Sequence, residues 1–111
     1  MNENSFFVEP ASLAWTETAS HGVRWKVLHH DPVSGRSVFL LHFEPGASYP
    51  LHRHPEWEDY LVVDGAVQDG GAVREAGTYA HHPGGTAHRL VSPKGCLLFV
   101  SLATPVEILK E

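Results

Sequence analysis

Two histidines and a glutamate stand at spacings that suit a metal site. His52 and His54 are two residues apart, so on a β-strand both imidazoles would project from the same face. Glu58 begins the next predicted strand after a short connection, and an antiparallel return would bring its carboxylate close to the two rings. Imidazole and carboxylate are ligands that divalent transition metals accept. The spacing therefore predicts that these three side chains converge on one ion.

A further histidine, His88, follows a Pro-Gly-Gly turn at residues 83–85. Glycine adopts φ angles that other residues avoid, so this turn can reverse the chain and deliver a fourth ligand from a later strand. Three imidazoles and one carboxylate suit a single divalent ion of Fe, Zn, Ni, Mn, Co or Cu, and the residues leave that choice open. A tetrahedral Zn(II) would be fully coordinated, whereas an octahedral ion would keep two positions for water, substrate or O2.

Short apolar segments separated by Gly, Pro and Asp predict the elements that hold these residues. Their spacing suits antiparallel strands better than helices, and many short strands in a compact chain form a sandwich or barrel. The predicted strands span residues 23–29, 37–43, 48–54, 57–63, 77–82, 87–91 and 96–103. Turns are predicted between them, including Asp64-Gly65 and Asp69-Gly70-Gly71.

The length of 111 residues predicts one domain over residues 1–111, because a second core would be too small to be stable. We expect an N-terminal arm over about 1–22 and a barrel over about 23–104. Residues 11–18 could form a short helical turn, and we expect the arm to lie along a sheet edge or a neighbouring subunit. The structure of the final segment, residues 106–111, is left undecided.

Composition excludes several classes of function. The net charge of −5, from 8 Lys and Arg against 13 Asp and Glu, makes nucleic acid an unsuitable partner. No stretch has the length of a membrane span, and the first residues lack the pattern of a signal peptide, so we expect no membrane association and a cytoplasmic location. Cys96 is the only cysteine, which excludes an intramolecular disulfide and a thiolate-rich metal site.

The spacing of the predicted ligands resembles the two signature motifs of the cupin superfamily. Every position that the motifs specify up to the last histidine is present: Gly46, His52, His54, Glu58, Gly65, Gly77, Pro83, Gly85 and His88. The chain departs from the family at Ser92, where an asparagine is common. That residue usually supports a turn rather than the metal, so the resemblance still implies a site of three histidines and one glutamate.

One branch of the superfamily is closer than the others. The run from His54 to Gly65, HPEWEDYLVVDG, resembles the cupin domains of ChrR-type anti-sigma factors and of acetylacetone-cleaving dioxygenases. The segments Gly77-Thr-Tyr, Pro83-Gly-Gly-Thr-Ala-His and Gly95-Cys resemble the same branch. The resemblance covers roughly residues 38–102. It implies an all-β fold, a small antiparallel double-stranded β-helix or jelly-roll barrel of the RmlC-like type.

Two functions follow from this resemblance. The first is a metalloenzyme of dioxygenase type that acts on a small diketone-like or enolisable substrate. The alternative is a non-catalytic sensor or regulatory module, in which the metal-filled barrel detects a small molecule or an oxidant. A metal-dependent isomerase or sugar-type enzyme is a weaker third hypothesis because no further catalytic carboxylate or histidine is identifiable. Tyr60 is the candidate catalytic residue, since it shares strand parity with Glu58 and could line the cavity.

Other conspicuous residues receive structural interpretations. We expect the paired histidines at residues 29–30 and 81–82 to lie on the surface, with at most one of each pair facing the pocket. His42 is predicted to be a buried, hydrogen-bonded histidine on the inner face of its strand. The apolar residues 6–8 and the region of Trp15 are candidates for pairing across a two-fold axis, so a homodimer is expected.

Overall fold

The computed structural model describes residues 4–110, so the first three residues of the predicted arm and the last residue of the predicted domain lie outside it. Within these residues the chain forms β-strands and a single turn of 3-10 helix, Pro10–Ser12, with no α-helix. The strands are β1 (Thr16–Glu17), β2 (Val23–His30), β3 (Ser37–Phe43), β4 (Ala47–Arg53), β5 (Glu58–Asp69), β6 (Ala72–Glu75), β7 (Tyr79–His82), β8 (Ala87–Ser92), β9 (Cys96–Leu102) and β10 (Glu107–Ile108). The predicted all-β fold is confirmed.

All described strand pairs are antiparallel, and they form a curled sheet in the order β1-β2-β3-β9-β5-β8-β4-β10. The long strand β5 belongs to both halves of this sheet. Its first part pairs with β9 and β7, and its last part pairs with β6 and β8. The two halves therefore join along one strand, which places residues from both on the same interior.

Strand β5 corrects one prediction, because Asp64-Gly65 is not a turn between strands. The chain stays extended through both residues and ends only at Asp69, while the pairing with β9 shifts register between Val62 and Asp64. Such a bulge inserts one residue into the strand and reverses which side chains face inward. Strand β6, which returns along β5 after the Gly70-Gly71 turn, was not predicted.

The core occupies the inner face of the curled sheet. On β3 the side chains of Phe39, Leu41 and Phe43 alternate inward, and Leu98 and Val100 of the neighbouring strand β9 lie beside Leu41 and Phe39 on the same inner face. A strand buries every second residue, so apolar residues at this period give one buried face. The buried apolar residues form one cluster, which also supports the walls of a cavity described below.

The prediction for His42 is wrong. It lies on the face opposite to the inward residues of β3, half-buried against the ring of Trp15 at 5.6 Å between centroids. The inner face of β3 is already occupied by Phe39, Leu41 and Phe43. Because side chains alternate between the two faces of a strand, His42 points to the outer face. Its role is therefore to pack beneath the N-terminal arm.

Both ends of the described chain lie on sheet edges. Strand β1 pairs with β2, and Lys26 on β2 donates a hydrogen bond to the carbonyl of Pro10, so the arm follows the edge as expected. The undecided C-terminal segment forms β10, whose Ile108 stands opposite His52 of β4. The end of the chain thus runs directly beside a predicted metal ligand.

Candidate metal centre

The four predicted ligands come together from three strands. His52 lies on β4 and stands opposite His88 of β8 in the register of that pair. His54 follows directly after β4, and Glu58 opens β5. One ligand atom from each residue lies within 4.8 Å of the others. Residues separated by up to 36 positions in the chain therefore meet at one point.

The cluster is buried, and three of its polar atoms lack a hydrogen-bond partner. The relative exposures are 2% for His52, 0% for His54, 6% for Glu58 and 8% for His88. The Nε2 atoms of His54 and His88 lie 3.3 and 3.5 Å from Oε1 of Glu58 without forming a hydrogen bond to it. Buried polar groups are almost always satisfied, so three unsatisfied atoms that face each other indicate a place for a cation.

The Nδ1 atoms of His52 and His54 already form hydrogen bonds. Nδ1 of His52 donates to the carbonyl of Pro50 at 2.9 Å, because a carbonyl can only accept. Nδ1 of His54 donates to the hydroxyl oxygen of Thr86 at 3.0 Å, since that hydroxyl donates its own hydrogen to Pro83. A proton on Nδ1 leaves the lone pair on Nε2, the atom that faces the centre.

The dimensions of the cluster fit one transition-metal ion. Imidazole nitrogen and carboxylate oxygen bind such an ion at about 2.0–2.2 Å, so opposite ligand atoms stand about 4.2 Å apart. The four candidate ligand atoms all lie within 4.8 Å of one another, which is compatible with that diameter. The donor set of three nitrogens and one oxygen suits borderline divalent ions rather than thiophilic ones. The residues present can therefore hold a metal ion.

The sequence model of the ChrR cupin-like domain family matches residues 3–105 of the chain. The chain belongs to this family. The predicted cupin resemblance is thereby confirmed, and the antiparallel fold agrees with it. None of the curated proteins matches the chain.

Several solved structures share the fold of this cupin domain. A candidate acetylacetone dioxygenase from Methylibium petroleiphilum is 21% identical, with a TM-score of 0.90 over 99% of this chain and 84% of that chain. An acetylacetone dioxygenase from Acinetobacter johnsonii is 18% identical, with a TM-score of 0.84 over 100% of this chain and 80% of that chain. In the complex of Rhodobacter sphaeroides SigE with the anti-sigma ChrR, the match is 24% identical, with a TM-score of 0.71 over 85% of this chain and 50% of that chain. These similarities show the fold alone.

Among residues 4–110 of the cupin domain, no helix is long and apolar enough to span a membrane.

A second group of possible ligands, Asp69, His82 and His88, shares one histidine with the first. Each of its contacts is a hydrogen bond: Nδ1 of His88 lies 2.8 Å from one oxygen of Asp69, and Nε2 of His82 lies 2.9 Å from the other. No buried side-chain atom of Asp69 or His82 lacks a hydrogen-bond partner. The first group, with its three unsatisfied atoms, is therefore the better metal centre of the two.

Sequence reasoning missed both new members of this network. Asp69 was assigned to a turn, and His82 was expected on the surface, but the side chain of His82 is only 20% exposed. On β7 the inward positions are Ala80 and His82, so parity could have indicated one histidine of the pair. Its neighbour His81 is exposed as expected and bonds to Asp59. The histidines at residues 29–30 also lie near the surface, His29 against the ring of Phe6.

Tyr60 lies where its parity placed it, on the inner face of β5 beside Glu58. Its ring lines the cavity, and its hydroxyl donates to Asp69. Burial and the hydrogen bond to this carboxylate raise the pKa of Tyr60 far above its usual value, so the hydroxyl stays protonated. The ring, rather than an ionised oxygen, is therefore the part of Tyr60 that the cavity presents.

The residues of the cluster differ in pKa and therefore in charge. Burial lowers the pKa of His52 to about 4, so its ring is neutral at physiological pH. Burial opposes ionisation of Glu58, but the close approach and charge of the His54 and His88 rings outweigh it and lower its pKa to about 2. Burial also opposes protonation of His88, yet the carboxylates of Asp69 and Glu58 raise its pKa to about 9. Without a metal, His88 thus carries the positive charge that Glu58 needs.

A cavity of about 380 Å³ opens onto the centre. Its polar lining consists of His52, Glu58 and Tyr60 near the centre and of Thr18, His30, Ser37 and Tyr49 elsewhere. The remaining walls are mainly apolar and come from five strands and the C-terminal segment, including Trp25, Phe39, Leu41, Leu90, Leu98, Val100, Leu102 and Val106. Among the described residues that line it, none is Lys or Arg. The cavity is therefore suited to a small uncharged molecule.

We expect metal binding at about pH 8 to release one proton from His88. The raised pKa of about 9 means that its Nε2 is protonated in the metal-free protein, and a metal ion must displace that proton. The contribution of His88 should make the affinity rise tenfold per pH unit up to about pH 9 and level off above it. Calorimetric titration with Zn(II) in two buffers of different ionisation enthalpy measures the proton count. Heats that do not depend on the buffer would contradict this prediction.

Proposed function

We propose that this cupin domain binds one divalent transition metal through His52, His54, Glu58 and His88, and that it is a metalloenzyme of dioxygenase type. The observation that carries the proposal is the set of three buried unsatisfied atoms, on His54, Glu58 and His88, at the end of an apolar cavity. When bound, an ion with two open positions would supply Lewis-acid chemistry and a place for O2 and substrate.

The lining of the cavity favours a small, uncharged, enolisable substrate such as a β-dicarbonyl. A carboxylate or phosphate on the substrate would need a positive partner, and no Lys or Arg lines the described walls. Aliphatic and aromatic walls instead favour apolar substituents, whose burial contributes about 25 cal/mol per Å². The structural similarity to proteins described as acetylacetone dioxygenases supports the same substrate class.

The chain's own residues would orient this substrate and exclude water. Val100 and Leu102 from β9, with Val106 beyond it, enclose the side of the cavity next to Glu58. Tyr60 is our candidate catalytic residue, acting through its ring, since its hydroxyl is bound by Asp69. Tyr60→Leu should therefore raise KM for the substrate, whereas Tyr60→Phe should leave KM unchanged. A rise in KM for the phenylalanine variant alone would contradict this role.

Oxygen consumption by the Fe(II)-loaded protein tests the enzyme directly. We expect faster O2 uptake with uncharged β-dicarbonyls than with analogues of the same size that carry an added carboxylate, because beyond the metal the described walls hold no Lys or Arg to pair with that charge. An oxygen electrode measures the rate, and the metal-free protein is the control. If the protein binds Fe(II) but consumes no O2 with any member of an uncharged β-dicarbonyl panel, the enzymatic proposal is wrong.

A second candidate function is a sensor or regulatory module. Membership of the ChrR cupin-like family favours it, and the match to the anti-sigma ChrR spans half of that protein. A site that is closed by four protein ligands would respond to a small molecule or oxidant without turnover. Thermal stability and metal content measured before and after addition of peroxide test this reading. No change in either would remove it.

We also propose that two copies of the chain associate through the N-terminal arm. Phe7 is 91% exposed and Phe6 59% exposed, although both are large apolar side chains. Strand β1 lies at the open end of the sheet order, where unpaired backbone groups can pair with another strand. Sedimentation should give a dimer that the double variant Phe6→Ser, Phe7→Ser converts to a monomer. A monomeric wild type at high concentration would contradict the proposal.

A further inference from the structure

We infer that Asp69 is a positioning residue that sets the ring of His88 for metal binding. This inference rests on the proposed metal site. It concerns a side chain that lies at the end of β5, outside the predicted ligand set, and that makes no contact with the centre through its own oxygens. Its effect would pass through His88 alone.

The contacts of Asp69 are unusual for a residue next to a hairpin turn. The side chain is only 4% exposed, and both carboxylate oxygens accept hydrogen bonds. Oδ1 accepts from Nδ1 of His88 at 2.8 Å, while Oδ2 accepts from Nε2 of His82 at 2.9 Å and from the hydroxyl of Tyr60. A buried carboxylate is costly unless it is paired and hydrogen-bonded, and these three donors meet that requirement. Asp69 is therefore held in one orientation, with Oδ1 directed at His88.

This orientation determines which nitrogen of His88 faces the centre. An ionised carboxylate can only accept, so Nδ1 of His88 must carry a proton. The lone pair of the neutral ring then lies on Nε2, which is 3.5 Å from Oε1 of Glu58 and unsatisfied in this structure. The same bond prevents the ring from rotating by half a turn, because Nδ1 would lose its partner.

His88 differs from the other two histidines in the charge of its partner. Nδ1 of His52 donates to a backbone carbonyl and Nδ1 of His54 to a hydroxyl, both of them neutral. A hydrogen bond to a carboxylate is roughly twice as strong as one between neutral groups, and it makes the ring a better electron donor to a metal. We therefore expect the loss of the Asp69 charge to affect His88 and to leave His52 and His54 unchanged.

Three further contacts hold Asp69 and its hydrogen-bond donors in place. The centroid of the His82 ring lies 4.2 Å from that of His88 and 5.9 Å from that of Tyr60, so the three donors to Asp69 also pack against each other. Nε of Arg74 on β6 donates to the backbone carbonyl of Asp69 at 3.0 Å, which ties the hairpin to the same point. The position of the Asp69 carboxylate is therefore fixed by residues from several strands.

The variant Asp69→Asn tests the inference. Asparagine keeps the size of the side chain but removes the charge and places an amide donor beside one of the three hydrogen-bond donors. We expect the Kd for Zn(II), measured by competition with a chromophoric chelator, to rise about 10- to 100-fold. Asp59→Asn is the matched control, because Asp59 also lies on β5 and bonds to a histidine, His81, but on the outer face. Its Kd should equal that of the wild type.

The first part of a second measurement uses the wild type alone, so it does not depend on folding of Asp69→Asn. In the Zn(II)-loaded wild type, NMR should detect a slowly exchanging proton on Nδ1 of His88, and this signal should shift in Asp69→Asn while those of His52 and His54 stay in place. A wild type that carries this proton on Nε2, or an Asp69→Asn variant with unchanged Kd and unchanged spectrum, would overturn the inference. A wild type that binds no Zn(II) would instead contradict the proposed metal site.

Discussion

Replacing His54 with glutamine should abolish stoichiometric metal uptake while the fold persists. His54 is fully buried, and its Nε2 is one of the three unsatisfied atoms of the centre. The glutamine amide can donate to Glu58, so the substitution removes a metal ligand and gives that carboxylate a hydrogen-bond partner. Loss of a direct ligand should weaken metal binding by at least roughly 100-fold, the upper range for residues that only support a ligand.

Two measurements check this prediction. Elemental analysis after gel filtration should find one ion per wild-type chain, from protein purified without a histidine tag, and none in His54→Gln. Saturating Zn(II) should stabilise the wild type by about 4 kcal/mol at a free concentration roughly 1,000 times the wild-type Kd, and at the same concentration it should stabilise the variant by no more than about 1.4 kcal/mol. His21→Gln, in an exposed loop, is the control and should behave as the wild type. A His54→Gln variant that retains its metal would refute the assignment of this ligand.

Three of the four candidate ligands could be predicted because they depend on short-range geometry. His52 and His54 share a face for any strand that contains both, and Glu58 follows a connection of only three residues. His88 was placed through the motif resemblance, and the register of β4 with β8 then sets it opposite His52. The substituted motif position, Ser92, also agrees with its expected role, since its hydroxyl donates to the carbonyl of Ala66 at 2.7 Å rather than reaching the centre.

The supporting network could not be predicted, because it depends on a change of parity within β5. Glu58, Tyr60 and Val62 face inward, yet after the bulge the inward residues are Val67 and Asp69. Without the inserted residue, Asp69 would lie on the opposite face from Glu58. An Asp-Gly pair is compatible with both a turn and a bulge, and only the pairing with β9 decides between them.

Gly65 should be the residue at which a single methyl group does the most damage to this arrangement. Its φ angle is +72°, in the left-handed region, and an added Cβ would lie 2.2 Å from the carbonyl oxygen of Gly95. That oxygen belongs to the backbone next to β9, so it cannot move aside without breaking strand pairing. Gly65→Ala should therefore lower the free energy of unfolding by about 2–5 kcal/mol, the sum of the left-handed conformation and the overlap.

Urea unfolding of Gly65→Ala and Gly71→Ala separates these two contributions. Gly71 has a similar φ of +81°, but an added Cβ would meet nothing within 4 Å. Gly71→Ala should therefore cost only about 1–2 kcal/mol, from conformation alone. Since the free energy of unfolding of a typical domain is about 5–15 kcal/mol, Gly65→Ala could remove most of the stability of the fold. Equal losses in the two variants would mean that the strands relax around the extra methyl group, and the close approach of β5 to β9 would then not be what requires glycine at position 65.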